Sequence, residues 1–141
     1  MNDFEENITE LQPEIVNVVA AIVKRDNTYL CVQRCRDEHE YISEHWEFPG
    51  GKCEEGESDH EALIREIKEE MDWDIYVGKK LGTVTYEYPD ITICLTAYLC
   101  LCEDDNFKLL EHLDCRWLKK EELNQLEWTD ADRELLQLIE E

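Results

Sequence analysis

Glu66, Glu69 and Glu70 stand at i, i+3 and i+4 within a stretch of helical periodicity. At about 100° per residue, Glu69 lies about −60° and Glu70 about 40° from Glu66, so the three carboxylates share one stripe about 100° wide. An apolar stripe of Leu63, Ile64, Ile67 and Met71 runs beside it, so the acids border the packing face instead of the far solvent pole. Like charges at these spacings cost about 0.2–0.5 kcal/mol per pair. A divalent cation turns that repulsion into coordination, and an all-oxygen carboxylate set suits Mg²⁺ or Mn²⁺ better than zinc. Glu54, Glu55 and Glu57 precede the helix and enlarge the acidic group. The helix taken alone also fits an ordinary solvated acidic face, because 36 of the 141 residues are Asp or Glu.

The helix needs elements to hold it. Ser58 followed by Glu61 spells a capping box, which starts the helix at Asp59 and predicts its run to Met71. Before it, Ile15–Val23 is rich in β-branched residues and predicts a strand, Arg25-Asp26-Asn27-Thr28 a turn, and Tyr29–Arg34 a second strand of the same hairpin. Residues 1–13 read as a loose acidic lead-in, and 35–45 as a charged loop. Trp46-Glu47-Phe48 is a short strand, broken by Pro49-Gly50-Gly51. After the helix, Leu81–Tyr88 and Ile91–Cys102 predict strands around a Pro89-Asp90 turn, and Cys115–Leu118 another. Lys120–Gln125 predicts a helical turn or two, and Thr129 caps a last helix carrying Leu135, Leu136, Leu138 and Ile139. The order β-β-β-α-β-β-β-α is mixed α/β (α+β), with a sheet that is at least partly antiparallel, in one domain over 1–141.

The spacing around the helix is more specific than its charge. Gly51, five residues, Glu57, seven residues, then Arg65-Glu66-Ile67-Lys68-Glu69-Glu70-Met71-Asp72-Trp73 resembles the Nudix box, Gly-x5-Glu-x7-Arg-Glu-U-x-Glu-Glu-x-Gly-U, with U apolar. Every defined position but one matches, and Trp46-Glu47-Phe48-Pro49-Gly50-Gly51-Lys52 leads in as in MutT-like proteins. The departure is Asp72 where the family has Gly; Asp tolerates the left-handed conformation better than most non-Gly residues. The resemblance implies a Nudix fold, a sheet sandwiched between helices, and a pyrophosphohydrolase that cleaves a nucleoside 5′-triphosphate of the 8-oxo-dGTP or CTP/dCTP kind to the monophosphate and pyrophosphate. It implies that Glu66, Glu69 and Glu70 hold Mg²⁺ (Mn²⁺ in its place), with Glu57 an accessory acid, Arg65 orienting a carboxylate, and the carbonyl of Gly50 or Gly51 as a further ligand. It also implies that Glu111, six residues before Trp117, is a catalytic base or ligand, and that Asp132, early in the last helix, reads the base. Each has a plainer reading: Glu111 as a surface acid, and Asp132 as half of an imperfect capping box with Thr129. Nudix hydrolysis of a nucleotide sugar or ADP-ribose, and nucleotide sensing without cleavage, are the rival functions.

Outside the box the signals weaken. Arg34 and Lys52 are candidates to touch phosphates. Tyr88-Pro89-Asp90 resembles a MutT-like turn that places Tyr88 near substrate, and Phe48, Tyr86 and Trp128 are candidates to stack on a base. His60 and His112 read as bystanders. Cys31, Cys35, His39 and His45 lack the separation between ligand pairs that zinc sites show. Net charge is 14 − 36 = −22, which repels nucleic acid and anionic membranes and requires a cation between the protein and any phosphorylated substrate. Seven cysteines, an odd number, and the absence of a basic apolar leader make reduced thiols and a cytoplasmic location the expectation. Monomer and homodimer both remain open.

Overall fold

The computed structural model describes residues 14–140, so the expected lead-in over 1–13 lies outside the described residues. Strand β1 (Glu14–Arg25) turns into β2 (Thr28–Arg34), followed by β3 (Trp46–Glu47) and β4 (Gly50–Lys52). Helix α1 (Asp59–Met71) precedes β5 (Tyr76–Glu87), β6 (Ile91–Leu101) and β7 (His112–Leu118). A 3-10 turn (Lys120–Gln125), α2 (Asp130–Leu135) and a second 3-10 turn (Leu136–Leu138) complete the chain. The strands run in the order β3-β2-β1-β6-β5, with β4 on β1 and β7 on β2. β1 and β6 are parallel, from Glu14 opposite Ile91 to Val23 opposite Cys100; the other pairings are antiparallel.

β1 is central because its apolar run serves two cores. Ala20 and Ile22 point to one face, where Phe48, Trp128, Leu135 and Ile139 pack. Val19, Ala21 and Val23 point to the other, where Leu63, Ile67 and Met71 of α1 pack. The period of two along a strand therefore places α1 and the C-terminal helical segment on opposite sides of the sheet. Ile64, expected on the apolar stripe, is 47% exposed; it lies about 160° from Glu66, at the margin of that stripe.

Local chemistry explains most boundaries. Asp26 and Asn27 both have positive φ, as a two-residue hairpin turn requires. Both bonds of the capping box are present: the Glu61 N–H donates to Ser58 Oγ at 3.1 Å, and the Ser58 N–H to Glu61 Oε1 at 2.9 Å. Asp72 ends α1 at φ 48°, ψ 49°, the left-handed cap expected there. The strand breaks as expected, at Phe48-Pro49, but Gly50–Lys52 then forms a further short strand. Gly50 packs so closely on β1 that a Cβ would lie 2.0 Å from the Val19 carbonyl oxygen, so the glycine that seemed to interrupt the strand is what admits it to the sheet. The last helix is shorter than its apolar residues implied, tightening into a 3-10 turn at Leu136.

Candidate active site

α1 presents its acids along the β4 side. Gly51 backs directly onto Glu66: a Cβ at Gly51 would come within 2.3 Å of that carboxyl. Arg65 organises the rest. Its Nε donates to Glu57 Oε2 at 2.6 Å, and Nη2 to Glu57 Oε1 at 2.9 Å and the Lys52 carbonyl at 3.0 Å. Nη1 donates to Glu66 Oε1 and Glu69 Oε1, each at 3.0 Å. All five N–H donors of one guanidinium are thereby used, and the Arg65 bonds hold Glu57 well below the usual carboxylate range, at about 2. Glu69 is 55% exposed, whereas Glu66 and Glu57 are largely covered.

Glu70 is the unusual member. Its Oε1 is buried with no hydrogen-bond partner among the described residues. Burial first, then the charges of Glu47, Glu66 and Glu111, push its carboxyl up to about 9. Glu111 reaches this neighbourhood because its loop docks on the free carbonyls at the end of α1: the Lys108 N–H donates to the Met71 carbonyl at 2.9 Å and the Leu110 N–H to the Glu70 carbonyl at 3.1 Å. Glu111 itself is exposed, and its carbonyl accepts from Cys35 Sγ. Among the described residues, no three His, Cys, Asp or Glu side chains converge tightly enough to hold a metal ion as they stand. Arg65 bridges Glu57, Glu66 and Glu69 instead.

Next to the acids lies a cavity of about 320 Å³, lined by Arg34, Glu47, Tyr88 and Asp132 with apolar walls from Val18, Ile93 and Leu95. Segment 35–45 is a loop, as expected, and folds across the cavity: the Tyr41 ring stacks on Tyr88 at 4.9 Å and its hydroxyl donates to Asp90 Oδ1 at 2.6 Å. Tyr88 is buried, and its hydroxyl accepts from the Ala131 N–H at 2.9 Å. Asp132 does not complete a capping box. It accepts from the Thr129 hydroxyl at 2.8 Å and from the Phe48 N–H at 2.9 Å, joining α2 to the residue after β3. Burial and the charge of Glu47 raise its carboxyl to about 7.

Other candidates fall elsewhere. Lys52 is exposed and lines a separate depression beside Glu57, away from the cavity. Phe48 and Trp128 pack on each other at 4.7 Å inside the core, and Tyr86 packs on Tyr88. All seven cysteines are free, and Cys31 is buried.

Two residues escaped the sequence reading. Glu47 accepts from Arg34 Nη1 at 3.0 Å, and its Oε2 lies 3.3 Å from His112 Nε2. It also lines the cavity, and its charge acts on Glu70. His112, read as a bystander, is buried. The available signal was an acid flanked by two aromatic residues in the short strand Trp46-Glu47-Phe48.

A family model described as the NUDIX domain matches residues 14–139. Over 124 residues the chain is 33% identical to a CTP pyrophosphohydrolase of Escherichia coli, covering 88% of this chain and 90% of that protein. Over 86 residues it is 35% identical to an 8-oxo-dGTP diphosphatase of Proteus vulgaris, covering 60% and 74%. Among solved structures, MutT of the Nudix hydrolase family from methicillin-resistant Staphylococcus aureus 252 superposes with a TM-score of 0.69 at 40% identity, covering 89% and 95%.

Proposed function

Because the chain belongs to the NUDIX domain family of hydrolases, we propose that it hydrolyses a nucleoside 5′-triphosphate, of the 8-oxo-dGTP or CTP/dCTP kind, to the monophosphate and pyrophosphate with Mg²⁺. The observation that carries this reading is the shared wall: Arg34 and Glu47 border a nucleoside-sized cavity while Glu47 also charges the acid cluster on α1. The names of the relatives in Escherichia coli and Proteus vulgaris support the substrate class.

The residues fit a divalent cation. The donor set is oxygen throughout, the Glu70 Oε1 orphan is an acceptor in want of a partner, and Gly51 leaves room for the Glu66 carboxylate against the backbone. In this reading Glu66, Glu69 and Glu70 hold the cation, with Glu57 accessory and the Gly50 or Gly51 carbonyl available to it. Bound there, Mg²⁺ would neutralise phosphate charge and sharpen a water as nucleophile, with Mn²⁺ able to substitute. Arg65 keeps the glutamates aligned through its five donors. Glu111, beside Glu70, takes the proton released by the attacking water or adds a ligand. Arg34 faces the phosphates from the cavity rim, while Asp132 and Tyr88 shape the nucleoside end; Lys52, on the separate depression beside Glu57, lies off this path.

The test is pyrophosphate release across 8-oxo-dGTP, CTP, dCTP, 5-methyl-dCTP, ADP-ribose and the common deoxynucleotides, with Glu69→Gln and Glu70→Gln alongside. Each substitution is expected to lower kcat about 100-fold or more with the fold retained, because it removes cation-binding charge and little packing. Turnover of ADP-ribose alone would move the substrate to a nucleoside diphosphate derivative. Nucleotide binding with no cleavage of any compound would make the protein a sensor.

A further inference from the structure

His112 is buried at the first position of β7, opposite Arg34 of β2, where a register shift between Gln33 and Arg34 interrupts the ladder. Such irregularities re-aim side chains. Here Arg34 and His112 both reach Glu47 of β3: Arg34 Nη1 meets Oε1 at 3.0 Å and His112 Nε2 lies 3.3 Å from Oε2. Each carboxylate oxygen thus has its own donor, from a different strand. We propose that His112 is a positioning residue: through Nε2 it holds the Glu47 carboxylate between the acid cluster of α1 and the nucleoside cavity, so that Glu47 strengthens cation binding.

A histidine kept only for packing would not be built this way. Its Nδ1 is buried with no partner among the described residues, a cost that an apolar side chain of similar size would avoid. Its other nitrogen goes to a carboxylate that lines the cavity. The neighbouring geometry gives the contact further reach. Glu111 precedes His112 directly and is bracketed by two anchors, the Leu110 N–H on the Glu70 carbonyl at 3.1 Å and the His112 ring on Glu47. Freeing the ring releases Glu47 to rotate and loosens one side of Glu111 as well.

The inference rests on the hydrolase reading, but its test reads the cation separately. His112→Phe keeps bulk and removes the donor; His112→Gln keeps a donor; Glu47→Gln removes the charge. Mn²⁺ binding to each free protein is measured by calorimetry, and kcat and KM by pyrophosphate release from CTP or whichever triphosphate the screen selects. His112→Phe is expected to weaken Mn²⁺ binding and lower kcat about tenfold, the usual scale for residues supporting a metal site. KM should move less than about twofold, since nucleoside contacts remain. His112→Gln should recover most of both losses. The double variant Glu47→Gln/His112→Phe should be no worse than Glu47→Gln alone, because the ring acts through that carboxylate. Normal Mn²⁺ binding by His112→Phe, failure of His112→Gln to recover, or multiplied losses in the double variant would each overturn the proposal. If His112→Phe melts early, His112→Asn is read in its place, being polar but too short to reach Glu47. A wild-type protein that binds Mn²⁺ yet cleaves no triphosphate overturns the proposed function and leaves this test intact.

Discussion

Arg65 and Glu70 show how single side chains set the chemistry. Arg65 spends five donors on Glu57, Glu66, Glu69 and the Lys52 carbonyl, a planar fork that a point charge cannot imitate. Arg65→Lys is expected to keep the fold and lower kcat/KM about 10–100-fold, measured by initial rates beside a thermal melt. Glu70 sets a pH dependence. Its folded carboxyl is raised from 4.5 to about 9, so metal-free folded protein holds a proton that the unfolded chain has lost across that window. Stability must therefore fall as pH rises from about 5 to about 9. Asp132, raised by burial and by Glu47, adds the same sign up to about 7. Melts in EDTA should show this slope, saturating Mg²⁺ should flatten it, and Glu70→Gln should remove most of it. An unchanged slope in Glu70→Gln would refute the assignment.

At the scale of elements, β4 and α1 form one device. Gly50 and Gly51 are adjacent but serve different partners, so their alanine variants should fail differently. A methyl at Gly50 meets the Val19 backbone, which cannot step aside, and Gly50 also has φ +155°. Gly50→Ala is expected to cost about 1–3 kcal/mol, read from denaturant unfolding. A methyl at Gly51 meets the end of the Glu66 side chain, which can swing away. Gly51→Ala should therefore retain most stability and lose activity about 10–100-fold through the displaced carboxylate. Equal destabilisation by both would contradict this division. The αL cap at Asp72 belongs to the same device: it stops α1 where Lys108 and Leu110 dock, and so decides where Glu111 stands.

The whole molecule carries −22 and handles a substrate of the same sign. Long-range repulsion should slow encounter at low salt. Raising ionic strength from about 0.01 to about 0.15 M shortens the Debye length from about 30 to about 8 Å. At fixed free Mg²⁺, kcat/KM is expected to rise severalfold over that range, and a fall would mean that a local positive patch governs approach instead. Among the described residues no helix is long and apolar enough to cross a membrane. Much of this architecture was legible in the chain itself. The capping box, the acid stripe of Glu66, Glu69 and Glu70, and the left-handed stop at Asp72 are all fixed by neighbours within four residues, where helical geometry is known in advance. The hairpin at Asp26-Asn27 is equally local. Glu47 and His112 were not legible, because their contact joins β3 to β7 across β2 and depends on the register shift at Gln33 and Arg34. Nor did sequence distance reveal that Asp132 would bond the Phe48 N–H, or that Tyr41 would close the cavity against Asp90. Local spacing determined which acids the protein offers. Long-range strand pairing alone decided which other side chains face them, since a shift of one residue in a strand turns each side chain to the opposite face.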